Sequence, residues 1–124
     1  MEQRLLRYLD ALAAAKACSD EDIRRLEQEA RQDEANLEKI RRNVLDIFTA
    51  LANADAAQAR KENHPLEAFE RLHTVRFDRF PEPWRQRLEK AAAHGDVVTQ
   101  TIEEIKLKTV ARIWTVFQET EGTK

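Results

Sequence analysis

Between Arg71 and Lys90 the chain interleaves basic side chains (Arg71, Arg76, Arg79, Arg85, Arg87, Lys90) with Phe77, Phe80 and Trp84. Guanidinium groups beside aromatic rings can hold phosphates while the rings stack on bases, so this segment is the first candidate for nucleic-acid chemistry. Asp78, Glu82 and Glu89 lie in the same stretch and reduce its excess charge, and no signature of a nucleic-acid-binding fold accompanies it. The competing reading is that the three rings pin a proline-containing corner onto the core while the arginines are solvated or paired. That reading is preferred, and Arg76, Arg79, Phe80, Trp84, Arg85 and Arg87 are kept as a secondary interaction patch.

Metal chemistry has one foothold. Glu70 and His73 stand at the Glu-x-x-His spacing that carboxylate-bridged bundles use, but such a bundle needs that motif twice, with further inward carboxylates. Lys61 precedes His64 by three residues and Ala91 precedes His94, so no second copy exists. A metal- or ligand-binding bundle through Glu70 and His73 is the alternative function, and no metal or other cofactor is expected. Catalysis has less support. Cys18 is the only cysteine, and Asp20, Glu21 and Asp22 oppose the lowered thiol pKa that a reactive cysteine needs. No glycine-rich phosphate loop or nucleophile elbow occurs, and the expectation is a protein that is not an enzyme.

The elements that must position these residues are helices. The chain has 124 residues, 35% charged and 42% hydrophobic, with two glycines and three prolines. Its mean hydropathy is −0.69. So little turn-forming composition leaves helix or disorder, and apolar residues at helical intervals decide for helix. The length fits a single domain over residues 1–124 with one core. A net charge of −2 gives no global pull toward nucleic acid or an anionic membrane. The N-terminal sequence has no apolar run of a signal peptide, and no stretch is long enough for a membrane span, so a cytoplasmic protein is expected.

Leu5, Leu9 and Leu12 predict a first helix over about residues 2–17. Ser19, followed by Asp20, Glu21 and Asp22, reads as the N-cap of a second helix. From there Ile23, Leu26, Ala30, Leu37, Ile40, Val44, Ile47 and Leu51 keep three- and four-residue steps, interrupted at Asp33, in the manner of a coiled-coil seam. No proline or glycine intervenes before Pro65, so this helix is expected to run from 20 to 53 or on to 62, with Asn53–Asp55 as a candidate break. Pro65 suits the first turn of a third helix, and the Pro81-Glu82-Pro83 corner ends it. A fourth helix from about Trp84 closes at Gly95, and Asp96 caps a fifth over about 97–119. Its two apolar stripes, Val98-Ile102-Ile105-Ile113-Val116 and Leu107-Val110-Trp114-Phe117, predict a central position.

The expected fold is an all-α bundle of four to five helices, in which one long second helix forms an antiparallel hairpin with the first. A second helix twice as long as its partner would leave part of its seam uncovered. That mismatch motivates the functional expectation: a protein-protein interaction module (adaptor, chaperone-like or regulatory) that self-associates as a homodimer through Ile23, Leu26, Ala30, Asp33, Leu37 and Ile40. The partner is then a protein or a second copy, with no nucleic acid and no membrane.

Overall fold

The computed structural model describes residues 1–121, which form five helices and, among those residues, no strand. Helix α1 spans Glu2–Gln28, α2 Gln32–Ala59, α3 Pro65–Arg79, α4 Glu82–His94 and α5 Val97–Glu119. The all-α bundle and the antiparallel α1/α2 hairpin are as the sequence predicts. Lys16 pairs with Asp46, Asp20 with Arg42, and Glu27 with Lys39, so the two helices step past each other in opposite directions. Helices α3 and α4 follow one another with only Phe80 and Pro81 between them, and α4 packs chiefly on α5. Helix α2 is the hub of the bundle, touching α1, α3 and α5.

The hairpin turns twelve residues later than expected. Helix α1 runs through Ser19, whose hydroxyl donates to Glu38 on α2 instead of capping a helix. The chain reverses at Glu29–Arg31, where Ala30 takes a left-handed φ of 59°. The Ala30 N–H donates to the Glu27 carbonyl and the Arg31 N–H to that of Leu26, the paired bonds of a Schellman turn. Glycine favours this conformation and alanine is the best helix former, so the composition conceals the turn. The break in the seam at Asp33 was its trace. Asp33 lies exposed in the first turn of α2, where with Glu34 it faces the positive end of the helix dipole.

Two expectations fall with this boundary. Helices α1 and α2 have 27 and 28 residues, each about 40 Å long, so the length mismatch that implied an uncovered seam does not exist. Asn53–Asp55 does not break α2, which continues to Ala59. At the other end of the chain the signals held. His64 precedes Pro65 at the start of α3, Gly95 closes α4 at φ 70°, and the Asp96 side chain accepts the Thr99 N–H.

The core lies toward the end of the bundle where the N-terminal half of α1 meets the C-terminal halves of α2 and α5. Leu5, Tyr8, Leu12, Val44, Leu45, Phe48, Phe69, Phe77, Ile113 and Phe117 form one contiguous cluster there. Ile23, Leu26 and Ala35 are buried but outside that cluster, as are Ala91 and Ile105 between α4 and α5. Helix α5 packs on α1, α2 and α4, but its first turn departs from the expected stripe: Val97 and Val98 are exposed.

Candidate functional site

Three polar side chains occupy apolar register positions at the centre of the core. Tyr8 falls between Leu5 and Leu12 on α1, His73 between Phe69 and Phe77 on α3, and Asp55 continues the Phe48–Ala52 line on α2. Each is therefore carried inward by its helix. Tyr8 and His73 have no exposed surface, and Asp55 only 3%. The His73 ring stacks on Phe69 at 5.5 Å and meets Tyr8, Phe77 and Phe117 edge-on or tilted at 5.0–5.3 Å.

The hydrogen bonds fix the tautomer. Asp55 as a carboxylate can only accept, so His73 Nδ1 carries the proton and donates to Asp55 Oδ2 at 2.9 Å. Nε2 is then an acceptor and takes the Tyr8 hydroxyl proton at 2.7 Å. Arg76 closes the row from outside, with Nη2 donating to Asp55 Oδ1 at 2.8 Å and Nε reaching both oxygens at 3.2 Å. Burial holds the His73 imidazole below its ordinary value of 6.5, against the opposing pull of Asp55, and keeps it neutral. Burial pushes the Tyr8 phenol up, so it remains a donor. A buried cation lies nearby: Arg4 donates to Glu70 at 3.1 Å and to Thr120 at 2.9 Å, with its guanidinium 4.1 Å over the Phe117 ring.

A Tyr-His-Asp row has the composition of a proton relay, but its imidazole has no exposed surface to meet a substrate. What it does is join α1, α2 and α3 through satisfied bonds. The same bonds occupy the donors of the Glu70/His73 pair: both His73 nitrogens are engaged and Glu70 turns to Arg4. Among the described residues, no three His, Cys, Asp or Glu side chains converge on a point where a metal could sit.

The accessible chemistry lies on the outer face of α3. A groove of about 590 Å3 runs between Asp55 on α2 and the α3 face, lined by Arg71, Leu72, Val75, Arg76, Arg79 and Phe80. Val75 is 41% and Phe80 36% exposed, side by side with the arginines. A second groove, of about 520 Å3, flanks α3 on the α5 side, with Phe77, Leu107, Val110 and Trp114 on its floor and Asp78 and Arg85 at its rim. A cleft of about 480 Å3 between α1, α2 and α5 takes in Cys18, Ser19, Glu38, Arg41 and Arg112. Its Glu38 carboxylate is already held by Ser19 and Arg41.

The sequence-derived patch is thus divided. Arg76, Arg79 and Phe80 line the first groove together. Trp84 is buried under Lys106, whose ammonium sits 5.3 Å from the ring. Arg85 donates to the carbonyls of Phe77 and Asp78 at the end of α3 and to Glu82, and Arg87 pairs with Glu103 at 2.9 Å. The proposed seam residues are divided too. Ile23 and Leu26 are buried, Leu37 and Ile40 half-buried, Ala30 forms the turn, and Asp33 is in solvent.

Sequence reasoning missed Tyr8, Asp55 and Arg4 as buried polar groups. The available signal was register: Phe48, Ala52, Asp55 and Ala59 keep four- and three-residue steps, so an acid there had to meet partners. No family model, no curated protein and no solved structure matches this chain. No helix among the described residues is long and apolar enough to cross a membrane.

Proposed function

We propose that this chain is a non-enzymatic protein-interaction module whose partner surface is the α2/α3 groove. The observation that carries the reading is the coincidence, on one face of α3, of exposed Val75 and Phe80 with a concave surface. Apolar side chains exposed singly need no explanation, and Leu6, Leu66, Val97 and Val98 are of that kind. Contiguous apolar surface in a groove is what partner segments cover. The row behind it supports the reading, because Asp55 and His73 tie α3 to α2 and give the groove a fixed shape.

The length mismatch that motivated self-association through the seam is absent. Ile23 and Leu26 are covered within the chain, and Leu37 and Ile40 are half-buried. The exposed, unpaired Cys18 suits a reducing compartment, in keeping with a cytoplasmic protein.

Affinity capture from source cells, quantified for the protein and two variants, tests this reading. Val75→Asp places a charge in the groove, and Leu6→Asp does the same at an exposed apolar site elsewhere. A partner retained by the parent chain and by Leu6→Asp but lost by Val75→Asp is the expected result. Partners that survive Val75→Asp unchanged would refute the groove as the docking surface.

A further inference from the structure

We infer that the α2/α3 groove accepts an acidic amphipathic helix, with carboxylates meeting Arg71 and Arg79 and apolar side chains meeting Leu72, Val75 and Phe80. This rests on the reading of the groove as a partner surface and specifies what fills it. The lining arginines have hydrogen-bonding capacity left over. Arg76 uses Nε and Nη2 on Asp55, and Nη1 makes no bond among the described residues. Arg79 has no ion pair or side-chain hydrogen bond among those residues, although it lines the groove. Arg71 meets Glu62 only at 3.7 Å, with both groups exposed, an interaction that a docking carboxylate can replace. Among the described residues the only acid lining the groove is Asp55, already held by His73 and Arg76.

Charge and shape together select the occupant. A cationic rim around an apolar floor is complementary to a segment with acids flanking apolar residues, and a groove between two helices receives a third helix. Arg71 and Arg79 are two helical turns apart, about 12 Å, so the matching carboxylates stand about eight residues apart on one face of the partner. Apolar residues between them, at helical spacing, reach the floor. Nucleic acid fits less well. Phe80, the only aromatic ring among the described residues that line the groove, packs edge-on against Phe48 at 6.3 Å and Trp84 at 5.7 Å, and a single ring so engaged is a poor stacking platform.

Fluorescence anisotropy with model peptides of about fifteen residues tests the inference. One labelled peptide carries leucines at i, i+4 and i+7 flanked by glutamates, and its counterpart carries lysines at the flanks. The glutamate peptide is expected to bind at least about tenfold more tightly than the lysine peptide, with the advantage shrinking at high salt. Arg79→Glu should remove that preference, and Val75→Asp should abolish binding of both. Arg79 and Val75 are exposed, so unchanged circular-dichroism melting curves check that both variants fold. Equal affinity for the two peptides, lost in Val75→Asp, would overturn the acidic partner and leave the groove standing. Absence of binding by the glutamate peptide at low salt would overturn the inference. So would displacement of that peptide by single-stranded DNA at comparable concentration, which would make the groove a site for polyanions.

Discussion

Asp55 carries more of the core's polar bonding than any neighbour, because one carboxylate serves His73 and Arg76 at once. Asp55→Ala would leave the His73 N–H without an acceptor and free Arg76 from its bidentate partner. A loss of about 3–5 kcal/mol is expected, measured as the shift of the denaturant midpoint at constant slope. His73 predicts a pH dependence whose sign follows from burial. Its folded-state pKa lies below the ordinary 6.5, so under acid conditions the unfolded chain takes up a proton that the folded chain refuses. Stability is therefore complete above about pH 6.5 and declines as pH falls through the interval down to the depressed value, by at most about 1.4 kcal/mol per unit. His73→Gln can keep a donor toward Asp55 and an acceptor toward Tyr8, and its stability should be flat there. A parent protein equally stable at pH 7 and pH 5 would contradict the neutral buried imidazole.

At the scale of elements, the hairpin turn is where sequence and structure part most. Gly95 and Ala30 occupy the same position in equivalent turns, with the Asp96 N–H returning to the Ala91 carbonyl as that of Arg31 does to Leu26. The glycine announced its turn, and Asp96 and Pro65 announced the starts of α5 and α3. The alanine announced nothing, and the capping residues at Ser19–Asp22 supplied a false start. Two of those side chains do have partners, but on α2: Ser19 in Glu38 and Asp20 in Arg42. Long-range bonds of this kind have no local sequence signal. Ala30→Gly tests the turn directly. A left-handed alanine costs roughly 1 kcal/mol, part of which glycine's flexibility in the unfolded chain takes back. A gain of about 0.5 kcal/mol, read as a higher Tm, is expected for Ala30→Gly, and a clear loss would mean that residue 30 continues a helix. The candidate site was legible in part. Arg76, Arg79 and Phe80 were read as one patch and do share a groove, whereas Trp84, Arg85 and Arg87 were joined to them only by sequence proximity.

For the whole molecule, equal hairpin arms change what the apolar seam means. Ile23 and Leu26 are covered by the chain itself, the core closes where α1, α2, α3 and α5 meet, and exposed Val75 lies beside Arg79 on α3. With arms of equal length, the unpartnered stretch of helix that called for a second copy is absent. The claim that follows, that the molecule closes on itself and meets partners through the α2/α3 groove, is tested most directly by light scattering behind size exclusion over a protein concentration series. The expected result is a mass of 14.4 kDa at every concentration, the same for the parent chain and for Ile40→Asp. A concentration-dependent dimer that Leu37→Asp or Ile40→Asp dissolves, while Val75→Asp leaves it intact, would return the interface to the hairpin seam and contradict the account.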